Sequence, residues 1–359
     1  MNCCKEKPII ELQAGQKLCK KHFTEYFENK VFKTITKFDL IGKQENLGVA
    51  ISGGKDSLTL LHILNKLSRQ NPKIKLTGIL IDEGIKDYRD KSLEAAKEFC
   101  QKNNVKLEIY SFEEEFGMSL DNMLKVLDVK PCTICGIFRR YLLNKKSREL
   151  KFTKIATGHN LDDEAQSIMM NQFKNNIHLS ARLGPMVGIS SNKSSSIKNS
   201  SMKDNTMKNG INNNLKNKNN KNVITSNNIN NDKDSNVNFV QRIKPLYLCT
   251  EKEVTTYAFV NNLLDEFTEC PNVVKSYRAQ VRDMLNNLEA KFSGTKYSIV
   301  NSFLQMLPDL KERFKEAEVN YCKECNEPAS KDKCNACKYA EKLDKANASA
   351  ILNNTQIFF

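Results

Sequence analysis

Ser52-Gly53-Gly54-Lys55-Asp56-Ser57 gathers two glycines, a lysine and two serines into six residues. Paired glycines let a backbone turn with positive φ and bring its amides close to an anion; Ser57 and a following helix N-terminus add donors and a favourable dipole. The chemistry is phosphate binding, and since the G-x-x-x-x-G-K-[ST] spacing is absent, the loop is not of the Walker type. A second candidate is Cys132-x-x-Cys135, at a predicted helix start where the dipole favours thiolate. A redox dithiol, a pair of zinc ligands and a pair of iron–sulfur ligands all fit it. Cys322-x-x-Cys325 and Cys334-x-x-Cys337, eight residues apart, form a stronger pattern, since four thiolates so close can complete a tetrahedral structural zinc site. Near the N-terminus, Cys19-x-x-His22 offers two ligands ahead of a helix. Cys3 and Cys4 are adjacent, an awkward geometry for chelation, so zinc is expected here with Cys3 the least well placed.

These groups need a scaffold. Leu47–Ser52, Leu76–Asp82, Val105–Phe112 and Lys154–His159 read as strands, and Asp56–Ser68, Asp90–Asn103, Thr133–Leu150 and Asp162–Asn175 as amphipathic helices between and after them. Alternation of this kind predicts an α/β fold, a doubly wound parallel sheet whose ligand site lies at the carboxyl ends of the strands. His159, Asp162 and Asp163 follow the fourth strand and serve either as helix caps or as site residues. Helical patterns at Glu251–Leu263, Val273–Phe292 and Tyr297–Phe314 follow. On the second, Lys275, Arg278 and Arg282 share one face. Cys100 falls on an apolar helix face and reads as core; Cys249 has no assignment.

The 359 residues carry 56 Lys+Arg against 42 Asp+Glu, a net charge of +14, with 12 Cys and no Trp. Such a balance favours an anionic partner, nucleic acid or nucleotide phosphate. Five of the fourteen charges belong to Ser190–Asn236, an Asn/Lys/Ser-rich stretch with eight Lys, three Asp and no aromatic residue. That stretch has too little apolar surface to offset its ordering entropy and reads as an insertion in a surface loop. No apolar run reaches membrane-spanning length and no signal peptide is evident, so an intracellular, cytoplasmic protein without a membrane partner is expected. In a reducing compartment, paired cysteines point to metal rather than disulfides.

The loop Ser52–Ser57 resembles the pyrophosphate loop of the N-type ATP pyrophosphatases. Cys132-x-x-Cys135-Gly136, the following Arg139-Arg140-Tyr141-Leu142-Leu143-Asn144 and Gly158-His159-Asn160-Leu161-Asp162-Asp163-Glu164-Ala165 together resemble that family's tRNA 2-thiolation branch. The similarity runs from about Gly15 to Lys338, and excising the insertion joins Arg182–Met186 to Val240–Leu246 in the family's order. The resemblance implies adenylation of the C2 oxygen of a tRNA uridine by ATP with Mg2+, then sulfur transfer. It implies nucleotide contacts from Ala50, Ser52, Gly53, Gly54, Lys55, Asp56, Ser57, Ile81, Arg139 and Gly158. It further implies a 4Fe-4S cluster on Cys132, Cys135 and Cys270, the last from Glu269-Cys270-Pro271. Asp162 and Asp163 are then expected to position magnesium or the target base, and Arg139, a lysine in some relatives, to reach the ATP phosphates. Zn2+ at both ends, a ubiquitin-like thiocarboxylate carrier as sulfur donor and a related second subunit are implied as well. The domains expected are an N-terminal zinc module (1–30), the ATP-binding domain (40–189), the insertion (190–236) and the remaining catalytic part with tRNA-binding helices (237–316). A C-terminal zinc finger (317–340) and a tail (341–359) complete the chain. A non-catalytic, metal-stabilised tRNA-binding subunit and thiolation of another tRNA base are the alternatives.

Overall fold

Residues 74–82 read Ile-Lys-Leu-Thr-Gly-Ile-Leu-Ile-Asp, an apolar run rather than a strict alternation, as expected for a strand covered on both faces. The structure is a computed structural model and describes residues 4–13, 15–188, 239–263, 270–272, 276–314 and 320–355. Its described elements begin with a hairpin, β1 (Ile10–Glu11) and β2 (Lys17–Leu18), and α1 (Lys20–Lys37). The α/β part runs β3 (Glu45–Ile51), α2 (Lys55–Gln70), β4 (Ile74–Asp82), α3 (Arg89–Asn103) and β5 (Lys106–Ser111). It continues through α4 (Phe112–Phe116), α5 (Leu120–Val126), α6 (Pro131–Glu149), β6 (Lys154–Ala156), α7 (Leu161–Phe173), α8 (Ile177–Ser180), β7 (Met186–Val187) and β8 (Gln241–Ile243). Last come α9 (Glu251–Val260), α10 (Tyr277–Lys291), α11 (Thr295–Arg313), the hairpin β9 (Asn320–Tyr321) and β10 (Pro328–Ala329), and α12 (Asn335–Thr355).

The six-stranded sheet has the order β5-β4-β3-β6-β8-β7, parallel except for the β7–β8 pair. From β3 the chain first winds outward through β4 and β5, then crosses to β6 on the other side. The strand order therefore reverses between β3 and β6, which opens a crevice at their carboxyl ends. One sheet face, with Leu47, Val49 and Ile51, is covered by α1, α2, α3 and α9. Against the other, Ile79, Ile81 and Ile155 pack on Ile134, Phe138 and Leu142 of α6. A third core joins Leu161, Ala165 and Ile168 of α7 to Val281, Leu285, Val300, Phe303 and Leu307 of α10 and α11.

All four expected strands and their helices form, with ends shifted by a few residues; Lys154–His159 keeps ladder pairing only to Ala156 because the backbone there turns into a loop. The helix expected to start at Val273 is described from Tyr277, with Ser276 capping Ala279 N. Residues 190–236 lie outside the described residues, but the strands flanking them, β7 and β8, are antiparallel neighbours, the hairpin geometry in which a loop tolerates added length. The C-terminal hairpin and α12 dock on α5 and α6, where the buried Glu327 carboxylate meets Asn144 and Arg148. Among the described residues no helix is long and apolar enough to cross a membrane.

Candidate active site and metal centres

The loop after β3 turns at Gly53 with φ +81°, and a Cβ there would lie 2.0 Å from the Ser92 carbonyl oxygen. No other residue fits that position without displacing α3. Ser57 locks the turn from inside: its Oγ accepts from Ser52 N at 3.1 Å and donates to the Gly54 carbonyl at 2.9 Å. The first-turn amides of α2, from Lys55 to Ser57, have no helical carbonyl to bond and face the crevice with the positive end of the dipole. From the other side Gly158, just past β6, comes so near that a Cβ would sit 3.0 Å from the Asp56 carbonyl carbon.

Lys55 Nζ bonds Asp56 Oδ2 at 3.0 Å and Glu251 Oε1 at 3.1 Å. Burial pulls its pKa down, but the two carboxylates outweigh that and hold it above the ordinary lysine value. Asn160 caps α7, accepting from the Asp162 and Asp163 amides, and donates to Asp56 Oδ1 at 3.1 Å, so the N-termini of α2 and α7 converge.

The two aspartates, expected as a pair, are divided by the fold. Asp162 is 5 % exposed, and both its oxygens are taken, one by the Glu251 amide at 2.8 Å and one by the buried Lys296 ammonium. Its two bonds tie α7 to the starts of α9 and α11. Asp163 stays at the crevice, 3.7 Å from Arg278, and dehydration, reinforced by Asp56, lifts its carboxyl to about 6. His159 lies beside it with Nδ1 2.9 Å from Thr157 Oγ1; dehydration and the cations Lys244, Arg278, Arg139 and Arg242 lower its pKa to about 3, leaving the ring neutral.

Cys132 and Cys135 stand in the first turn of α6, behind Pro131 at its N1 position, and Cys132 Sγ lies 3.6 Å from the Asn272 carbonyl two residues after Cys270. Cys135 and Cys270 pack on the same apolar cluster. A helix N-terminus was expected to favour thiolate, yet burial pushes the Cys135 thiol up to about 11 and raises Cys270 as well. Arg139, one turn on, is 3.6 Å from the buried Glu83 and faces the same thiols. Ala50 is partly buried beside this core, and Ile81 is buried within it. Glu269 and Lys275 lie outside the described residues.

At the C-terminus the Cys322, Cys325, Cys334 and Cys337 sulfurs all lie within 4.8 Å of one another. Thiolates about 2.3 Å from a tetrahedral ion must stand about 3.8 Å apart, and Cys325 and Cys334 are at 3.7 Å. The donor set fits zinc. Cys4, Cys19 and His22 also converge within 4.8 Å, with Cys19 Sγ 3.2 Å from His22 Nδ1; Cys3 lies outside the described residues. Cys132, Cys135 and Cys270 are not among the described sets whose ligand atoms converge within 4.8 Å. Cys100 and Cys249 are buried in the main core, their thiols raised by burial, to about 11 for Cys100.

Four residues at this site have no role assigned by the sequence reading. Arg89, 4 % exposed, donates to the Ser52 carbonyl at 3.0 Å and to the Ile81 carbonyl, and pairs with Glu83 at 3.1 Å, clamping the ends of β3 and β4 under the loop. Glu251 is the fourth, after Arg89, Glu83 and Asn160. The acids in Asp82-Glu83-Gly84 directly after a strand were the one available signal. Arg278, which shares a helix face with Lys275 and Arg282 in the sequence, turns onto α7, donating to Gln166 Oε1 and Ser167 Oγ at 3.1 Å each.

Glycine loop, parallel sheet and strand reversal together define a nucleotide-binding α/β protein with its phosphate site at the switch point. A family model described as the PP-loop domain matches residues 23–288, and the chain belongs to that family. The tRNA-5-methyluridine(54) 2-sulfurtransferase of Pyrococcus horikoshii is 32 % identical over 94 % of this chain and 93 % of its own length. Cytoplasmic tRNA 2-thiolation protein 1 of Danio rerio is 30 % identical over 96 % and 88 %. Among solved structures, the U34-tRNA thiolase NcsA of Methanococcus maripaludis with its [4Fe-4S] cluster superposes with a TM-score of 0.69 at 28 % identity, covering 95 % of each chain.

Proposed function

We propose that the protein is a tRNA 2-sulfurtransferase that activates the C2 oxygen of a uridine, at the wobble position, with ATP and replaces it with sulfur. The observation that carries this is the placing of two chemistries at one end of one sheet: a phosphate-binding loop after β3, and three cysteines at the start of α6 and beside Asn272.

The uridine O2 attacks the α-phosphorus of ATP, the bond to the bridging oxygen breaks, and pyrophosphate leaves with both electrons. The amides of α2 and Lys55 hold that pyrophosphate and stabilise its charge. A magnesium ion carried by the phosphates would meet Asp56 and Asp163, whose carboxyl pKa is raised chiefly by burial and further by Asp56, so that a cation arriving there would favour the ionised form. A hydrosulfide sulfur then adds to C2, its proton passing to a base, and AMP departs with the former O2. When bound, a [4Fe-4S] cluster on Cys132, Cys135 and Cys270 supplies an iron without a protein ligand, at which such sulfide is kept available. Arg139 offsets negative charge between the two half-sites, and neutral His159 is placed to accept a hydrogen bond without adding charge. A ubiquitin-like carrier ending in a thiocarboxylate would donate the sulfur, and a related second subunit would share the tRNA.

The test is single-turnover thiolation by the anaerobically reconstituted chain, loaded with about four iron, using tRNA, ATP and sulfide, followed by nucleoside mass spectrometry. Expected are 2-thiouridine, AMP and pyrophosphate in equal amounts. A loaded chain that binds tRNA and ATP yet forms no 2-thiouridine would overturn the reading.

A further inference from the structure

Among the described residues, two arginines near the cysteine turn are without a counter-ion. Arg140 follows Arg139 on α6, and its Nη1 lies 2.9 Å from where a Cβ of Gly136 would stand. Side chains on a helix lean towards its N-terminus, and the missing side chain at Gly136 lets this guanidinium lie back along α6 towards Cys135. Arg242 is the middle residue of β8. Ile243, its neighbour, enters the core on the α2 face, and Val240 enters the one on the α6 face, so Arg242 extends to the α6 side. There its Cζ sits 5.4 Å from the Phe239 ring centroid.

Most cations around the crevice are committed to a carboxylate: Lys55 to Asp56 and Glu251, Arg89 and Arg139 to Glu83, Lys244 to Glu164 at 2.6 Å, Arg278 to Asp163. Among the described residues, neither Arg140 nor Arg242 has a hydrogen bond or ion pair. Dehydration lowers the pKa of both, and like charge adds to it: Arg139 acts on Arg140, and Arg140 on Arg242. Holding two guanidinium groups together, partly dehydrated and without an anion, costs stability, which a bound anion would return.

We propose that Arg140 and Arg242 form a phosphodiester site for the tRNA backbone, separate from the loop that takes the ATP phosphates. The assignment deepens the tRNA reading above and rests on it. Two planar forks match the paired oxygens of a phosphodiester. The triphosphate is assigned to the N-termini of α2 and α7, whereas Arg140 stands on α6 beside Gly136 and Arg242 on the α6 side of β8; the ATP KM separates the two occupants in the test below. A uridine whose C2 must reach both half-sites has to be splayed from its stack. Gripping the phosphate next to it on the cysteine side fixes that nucleotide in place.

The experiment measures tRNA affinity of the full chain against KCl concentration, together with the ATP KM, for wild type, Arg140→Gln, Arg242→Gln, the double variant and Arg242→Lys. Loss of the one neutralised phosphate should lower the slope of log K against log salt by about 0.7–0.9. The ATP KM should stay within about twofold, and turnover at saturating tRNA should be kept. Arg242→Lys should preserve the slope while weakening binding, since charge remains and the fork is lost. Zinc content and melting temperature equal to wild type confirm that each variant is folded; a variant that fails this is replaced by Gly136→Ala, which displaces the Arg140 guanidinium alone. A double variant with the wild-type slope and affinity overturns the proposal, as does a rise in ATP KM with tRNA binding intact. A wild-type chain that binds no tRNA would instead overturn the functional reading, a result visible before any variant is made.

Discussion

Lys296→Met tests whether Asp162 is a tie between helices or part of the reaction. Asp162 is 5 % exposed and Lys296 8 % exposed, and the pair links α7 to the start of α11, with Asn286 of α10 as a further acceptor for the ammonium. Methionine keeps the apolar stem and removes the charge, leaving a buried carboxylate whose remaining partner is the Glu251 amide. Removing one member of a buried ion pair costs about 3–5 kcal/mol. For a domain of this size that lowers the melting temperature by roughly 5–8 °C. Asp162→Asn should cost a similar amount, because Lys296 is then the stranded charge. The double variant should recover most of the loss, since replacing both charges by neutral groups is often close to neutral. Thermal melts of the four proteins at one pH and metal loading give the cycle directly. If Asp162 instead positions magnesium or the base, Asp162→Asn leaves the melt unchanged and abolishes turnover, and Lys296→Met melts within about 1 °C of wild type. Either melt would refute the structural role.

Two further outcomes follow from other buried groups. If the four-cysteine set holds zinc, Cys334→Ser should lose one zinc per chain by elemental analysis and expose residues 320–340 to proteolysis, because the metal would then hold the hairpin carrying Glu327 on α6; unchanged zinc and protease resistance would refute it. His62 has Nε2 buried without a partner, and dehydration, with Lys66 and Arg69, lowers its pKa to about 4 from 6.5. The folded value is the lower one, so its contribution is complete above the unfolded pKa and is lost as pH falls towards 4; urea melts should show His62→Leu losing about 2 kcal/mol less than wild type between about pH 7 and pH 5, and equal losses would contradict this.

What was legible in the sequence is what chemistry writes locally. The Ser52–Ser57 loop and the Cys322–Cys337 set each assemble from residues close in the chain, so spacing alone located them, and the sheet strands showed through because they are covered on both faces. The site's ties are not local. Lys55 meets Glu251 across 196 positions, Asp162 meets Lys296 across 134, and Asn160 meets Asp56 across 104. A glutamate at the start of α9 or a lysine at the start of α11 carries no mark of its partner. The division of Asp162 from Asp163 has the same origin: adjacent residues at a helix start point about 100° apart, one into the bundle and one into the crevice.

Pairing, more than net charge, decides which cations are available to RNA. Among the described residues around the crevice, Lys55, Arg89, Arg139, Lys244 and Arg278 each face a carboxylate. Their charge is largely spent inside the protein, and it orders the loop, the strand ends and α7. A basic composition built in this way yields a rigid ATP site rather than a broad RNA-binding surface. Around the crevice the unpaired charge among the described residues is then small, and Arg140 with Arg242 concentrates it on the side of Cys135. A phosphate bound there would contribute alignment more than affinity: it sets which nucleotide lies between the ATP site and the cysteines, while neighbouring backbone stays free to slide in register until that contact forms.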